Sequence, residues 1–361
     1  MRALIWLFFS GVLAASTTYT LTDLGTLGGN SSTSNGINNA GWVTGQSSVA
    51  GNSQQHAFFW NGTQMVDLAT FGGTVSVGNG INDAGHVGGY AQTAGNANWR
   101  AFYWDGTGTI SSAGTLGGNY NSASAINNSD QMTGVSYMKG DTVYRAFYWN
   151  GTMTSIGVLP GGTNSIGFGI NDAGQITGQS EIGGGAWQAF FWDGPNSMTG
   201  IPGLGGTNSY GRAINASGAV TGRADLTANA GSHAFYWDGV NPMQDLGALG
   251  GTTSNGYGIN GAGSVVGSAT LVGDTETHAF VWAGGLMSDL NSLLVNGGGW
   301  VLTEARGIND SGWIAGTGTI GGETRAFLLT PVEETPEAGT AWLLGLGMAG
   351  MLALKLRRNQ R

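Results

Sequence analysis

The stretch GINNAGWVTGQSSVAGNSQQHAFFWNGTQMVDLATFGG, residues 36–73, decides the fold. Four strand-like runs are packed into it. One ends at Ile37-Asn38, and a Gly-x-Val-x-Gly run covers 41–45. A third is Ala57-Phe58-Phe59-Trp60, and a fourth carries Asp67-Leu68. Between them stand Asn, Asp and Gly, the residues that tight hairpin turns need where φ is positive. Short turns between consecutive strands make an antiparallel meander, and Phe71-Gly72-Gly73 carries the chain into the next copy.

That next copy exists, and five more follow it. Ile-Asn recurs at Ile37, Ile81, Ile126, Ile170, Ile214, Ile259 and Ile308, in steps of 44, 45, 44, 44, 45 and 49 residues. Ala-Phe follows each time, as in RAFYW (100–104), QAFFW (188–192) and RAFLL (325–329). A period of 40–50 residues marks a propeller or a solenoid. The ends of the array favour the propeller. Residues 18–25, TYTLTDLG, match a fourth strand with no first three before it. The last copy supplies three strands and stops. Joined, the two make one complete unit, which removes exposed sheet edges. An open array would want distinct polar caps instead. The expectation is an all-β, seven-bladed β-propeller of four-stranded antiparallel blades, closed by its N-terminal strand. Another closed β assembly or an open β-repeat array remains the alternative.

Composition agrees. Of 361 residues, 69 are glycine, only 9% are charged and 40% are hydrophobic. Glycine at that level disfavours helices, since each interior Gly costs about 1 kcal/mol relative to Ala. Between residues 17 and 332 there are seven Lys or Arg against eighteen Asp or Glu. A nucleic-acid partner is disfavoured on that balance. The absence of cysteine rules out disulfides and thiolate metal sites.

The flanks read differently. Residues 1–16, MRALIWLFFSGVLAAS, have one base, an apolar core and small residues at the end, the pattern of a cleaved signal peptide. Near the other end, Ala338 to Leu354 is uncharged and just long enough for a transmembrane helix. Lys355, Arg357, Arg358 and Arg361 follow it and would stay cytoplasmic. Acidic Pro336-Glu337-Ala338, the apolar run and the basic end together resemble the PEP-CTERM sorting signal, with Ala338 where that signal has its second proline. The resemblance implies an exported protein of the cell envelope or exterior, held in the membrane at least transiently and open to exosortase-type processing. The chain thus divides into 1–16, the repeat region 17–332 and the anchor segment 333–361.

The repeats themselves resemble the HAF extracellular-repeat family, through His56-Ala57-Phe58, His233-Ala234-Phe235 and His278-Ala279-Phe280 together with the recurring Leu-Gly-Gly and Ile-Asn. The likeness spans 19–330. It implies an exported bacterial protein and assigns no activity.

Candidate chemistry is sparse. Asn38, Asn82, Asn127, Asn171, Asn215, Asn260 and Asn309 hold one position in every copy and read as side chains that bond turn amides. A ring of amides lining a glycan or ion site is the sharper alternative. The repeated Phe and Trp of Ala-Phe-x-Trp read as core. His56, Arg100, Arg145, Gln188, His233, His278 and Arg325 precede Ala-Phe and are all donors, which suggests a repeated bond to a neighbouring blade's carbonyl. Their spacing makes no metal triad. Asp83, Asp172 and Asp310 suit turns better than a calcium loop.

No GxSxG, HExxH or phosphate loop occurs, so no catalytic, cofactor or metal residue is expected. The functional expectation is a non-enzymatic interaction or matrix scaffold. Its expected partners are the membrane, through the C-terminal helix, and exopolysaccharide or envelope proteins. The alternative is a glycan-binding lectin using loop aromatics Trp99, Trp187 and Trp300. A carbohydrate-active enzyme, with carboxylates converging from different blades, comes third.

Overall fold

The computed structural model describes residues 17–194 and 198–332. The expected signal peptide, the motif at Pro336-Glu337-Ala338, the apolar run and the basic tail lie outside the described residues. What is described is all-β and propeller-type, with three short 3-10 turns. Among the described residues no helix is long and apolar enough to cross a membrane.

Strand β1 is Tyr19–Asp23. Unit 1 follows with β2 (Gly28–Ile37), β3 (Val43–Val49), β4 (Gln55–Trp60) and β5 (Met65–Asp67). Unit 2 holds β6 (Gly72–Ile81), β7 (Val87–Thr93), β8 (Trp99–Trp104) and β9 (Ser111–Ser112). Unit 3 holds β10 (Gly117–Ile126), β11 (Met132–Met138), β12 (Tyr144–Trp149) and β13 (Met153–Ser155). Unit 4 holds β14 (Ser165–Ile170), β15 (Ile176–Glu181), β16 (Trp187–Trp192) and β17 (Met198–Gly200). Unit 5 holds β18 (Gly205–Ile214), β19 (Val220–Leu226), β20 (Ser232–Trp237) and β21 (Gln244–Asp245). Unit 6 holds β22 (Gly250–Ile259), β23 (Val265–Leu271), β24 (Thr277–Ala283) and β25 (Leu286–Asp289). Unit 7 has β26 (Val301–Ile308), β27 (Ile314–Ile320) and β28 (Glu323–Pro331).

Within a unit each strand pairs antiparallel with the next, as Ile37 faces Val43, Gly45 faces Phe58 and Phe58 faces Asp67. In unit 7 the fourth place is taken by β1, with Tyr19 opposite Pro331 and Asp23 opposite Phe327. The turn after each Ile-Asn is a tight one. Gly41 N–H donates to the Asn38 carbonyl at 3.0 Å, with Gly41 at φ 79°. In unit 3 Asp130 takes that place at φ 59°, a conformation that Asp tolerates better than most side chains.

The core lies between units rather than within one. The Phe of every Ala-Phe is fully buried, from Phe58 to Phe327, and each such burial is worth about 1.5–3 kcal/mol. Phe58 sits with Ala315, Ala326 and Leu328 of unit 7, and Phe102 sits with Ala57 of unit 1. The second-strand glycine has a matching job. A Cβ on Gly178 would collide with the Ile166 carbonyl and the Phe190 ring. The equivalent collision, carbonyl plus Phe ring, awaits Gly89, Gly134, Gly222, Gly267 and Gly316. Six of the 69 glycines thus leave room for a carbonyl and an aromatic ring.

Candidate functional site in the central channel

The seven first strands come together around a channel. At its narrow mouth lies the Asn ring. Asn38 Nδ2 donates to the Asn82 carbonyl (2.9 Å), and the same bond runs through Asn82, Asn127, Asn171, Asn215 and Asn260 to Asn309. Asn309 Nδ2 in turn donates to the Asn38 carbonyl at 3.1 Å. Each Oδ1 accepts from the backbone N–H four residues on, such as Trp42 or His86. These amides bond turns, as expected, and also link neighbouring units. Asp83 and Asp310 add a second set of links, accepting from the backbone of Asn39 and Gly261. Below the mouth, Ile37, Ile81, Ile126, Ile170, Ile214, Ile259 and Ile308 form an apolar waist.

Beyond the waist the channel widens into a chamber of about 350 Å³. That is near the lower end of the usual range for small-molecule sites, about 300–1,000 Å³. Its wall is built by a repeated irregularity. Every first strand carries a β-bulge three residues before the Asn, where pairing skips one residue: Gly36 follows Ser34 in register, and Ala213 follows Gly211. The skipped residues are Asn35, Asn79, Ser124, Phe168, Arg212, Tyr257 and Arg306, and all seven line the chamber. A bulge leaves its extra residue out of the ladder and re-aims the side chain. Here the aim is the channel.

The wall is lopsided. Asn35, Asn79, Ser122 and Ser124 make a polar side. Asn35 and Asn79 each donate from Nδ2 to the next unit's backbone, to Gly78 and Ala123, leaving their Oδ1 atoms for the chamber. Opposite stand Phe168, Arg212, Tyr257 and Arg306. Arg212 Cζ lies 4.2 Å from the Phe168 ring centre, and Arg306 Cζ 4.5 Å from that of Tyr257. Arg306 pairs with Glu304 at 2.9 Å. Arg212 has no hydrogen bond or ion pair among the described residues. Burial draws its guanidinium down from the usual arginine range, and Arg306 and Arg223 push the same way. Burial also pushes the Tyr257 phenol up, and the Glu304 carboxylate adds to that.

The expected aromatic contacts fare unevenly. Trp99 and Trp187 are half-buried residues at the starts of β8 and β16, not loop tips. Trp99 packs 5.2 Å from Tyr90 and 6.3 Å from Tyr120. Tyr120 meets Tyr137, Tyr137 meets Tyr144, and Trp187 stacks on Tyr144 at 11°. Tyr90 and Trp187 thus terminate a run of six rings crossing units 2 to 4, with Trp99 second in it, and Tyr120 within that run lines the chamber. Trp300 stands apart, edge-on to Phe327.

The donors before Ala-Phe mostly bond within their own unit rather than across to a neighbour. His56, His233 and His278 each present Nδ1 to a fourth-strand carboxylate, Asp67, Asp245 and Asp289, at 2.7–2.8 Å. Antiparallel register brings the fourth-strand Asp to them first. Arg100 alone of the seven reaches the next unit's backbone, at Asn119, among the described residues.

Sequence reading missed the chamber residues. The signal was present: among copies otherwise uniform, the residue two before each Asn-preceding Ile reads Asn, Asn, Ser, Phe, Arg, Tyr, Arg. The bulge that turns this residue inward has no mark of its own in the sequence.

No family model matches the chain, and no curated protein does. Similar solved structures are remote. TolB from Acinetobacter baumannii is 11% identical with a TM-score of 0.45, over 69% of this chain. The chain spans 64% of that protein's length, under two thirds. A gluconolactonase from Xanthomonas campestris gives 10% and 0.40, over 88% of this chain and 96% of that one. The six-bladed fucose-recognising lectin of Aleuria aurantia gives 10% and 0.33, over 75% and 94%.

Proposed function

We propose that this chain is an exported, seven-bladed propeller closed by β1, anchored by its C-terminal segment, that binds a glycan in the bulge-lined chamber without turning it over. One observation carries the binding reading. The Asn and Phe positions, which serve the scaffold, repeat the same residue in each unit. The bulge position instead holds five residue types in seven copies and points them all into one cavity.

The chemistry of the wall supports binding over turnover. Glycoside hydrolysis ordinarily calls for two carboxylates flanking the bond, and no Asp or Glu lines the chamber among the described residues. Amide oxygens, serine hydroxyls and an exposed Tyr120 ring are suited to sugar hydroxyls and sugar faces.

A glycan panel presented to the full-length protein tests the reading. At least one saccharide is expected to bind, and Asn79→Ala and Tyr120→Ala are each expected to weaken it ten-fold or more with thermal unfolding unchanged. Binding untouched by both substitutions, or release of a hydrolysed product, defeats it.

A further inference from the structure

Two of the seven Lys and Arg residues between positions 17 and 332 line one side of the chamber, and a third, Arg223, lies near enough to Arg212 to act on its charge. Arg212 and Arg306 line it, and Arg223 in β19 lies over Tyr210, 4.8 Å from the ring centre. Its Nε is buried with no partner. Glu304 answers only one of the three, through Arg306. A chain with a large acidic excess thus concentrates positive charge at this lopsided cavity. Bringing guanidinium groups together is unfavourable, and burying them more so unless an anion compensates. Nothing in the fold requires it, since Asn, Ser and Phe serve at the same position in other units.

We infer that the chamber's ligand is an acidic saccharide, a uronic acid residue whose carboxylate is taken by Arg212. The inference rests on the glycan-binding reading above. Arg212 offers a planar fork of donors suited to a carboxylate, and stacking on Phe168 holds that fork in place. Across the cavity, Asn35 Oδ1, Asn79 Oδ1 and the hydroxyls of Ser122 and Ser124 face the sugar's remaining hydroxyls. A neutral hexose would leave Arg212 without an anion. A simple dicarboxylate would leave the polar side unused.

Titration calorimetry of the full-length protein separates the possibilities. The probes are glucuronate and galacturonate, the matching neutral sugars glucose and galactose, succinate, and polygalacturonate. A uronate is expected to bind at least ten-fold tighter than its neutral counterpart and than succinate. Arg212→Gln is expected to erase that preference and Arg212→Lys to keep part of it, with unfolding temperatures unchanged. Lys139→Gln, a surface charge outside the chamber, controls for net charge. Polygalacturonate binding without either monosaccharide places the recognised residue within a chain and supports the same assignment, provided Arg212→Gln abolishes it. Equal binding of glucose and glucuronate overturns the inference and leaves the glycan reading standing. Succinate binding as tightly as a uronate overturns the saccharide part. No binding of any saccharide defeats the reading on which the inference rests.

Discussion

Asn171 shows how much one amide does at the narrow mouth. Its Nδ2 donates to the Asn215 carbonyl at 3.0 Å and to Gln175 Oε1 at 2.8 Å. Its Oδ1 accepts from Ala173 N–H and Gln175 N–H. The side chain is buried, so water cannot replace those partners readily. Removing one member of a buried set leaves the others unsatisfied, at about 1–3 kcal/mol. Asn171→Ala is therefore expected to lose about that much stability, read as a lower urea midpoint with an unchanged slope. A midpoint equal to the parent's would show that the ring contributes nothing. The glycan or ion reading of this ring recedes for the same reason: its donors and acceptors are already committed to turns and neighbouring units.

At the level of the strand, the bulge and the second-strand glycine belong together. The bulge brings the first strand's carbonyl against the second strand, and the Phe ring of the third strand fills the same space. Gly178 has no room for a methyl group, and the obstacles are backbone and a packed ring rather than a flexible tip. Gly178→Ala is expected to destabilise by about 1–3 kcal/mol, the usual cost of overpacking. By contrast Gly184→Ala, in an open turn at φ 87°, would report only backbone strain. The pair compared by thermal melting tests the assignment; equal losses would reject it. This coupling also marks what could be read in advance. Turn residues, the Ile-Asn period and Ala-Phe-x-Trp gave each strand its type and order, because local φ preference and burial act on neighbours in sequence. The chamber was not readable that way. Arg212 and Tyr257 look like surface residues in a strand pattern, and only the skipped pairing beside them turns them inward.

For the molecule as a whole, the question is what holds the first and last strands together. The contacts to unit 7 go beyond the pairing of β1 with β28. Tyr19 is buried with Leu290, Leu302 and Phe327, Leu24 N–H donates to the Ala326 carbonyl at 3.1 Å, and Ser34 Oγ reaches the Gly316 carbonyl from unit 1. Thr20 and Thr330 face each other with hydroxyl oxygens 2.6 Å apart, although 310 positions separate them in the chain. Closing so long a loop costs the folding chain conformational entropy that the β1–β28 contacts have to offset. A crosslink there would remove that cost from the unfolded state. The parent has no cysteine, so Thr20→Cys with Thr330→Cys introduces a single pair without competing thiols. On the loop-entropy argument its ceiling is about 6 kcal/mol of added stability. The expected result is an intramolecular disulfide that forms in air, migrates faster without reductant and raises the unfolding temperature reversibly. If the thiols instead stay free, or pair between molecules, β1 does not sit on β28 in solution and the closed seven-bladed ring is wrong.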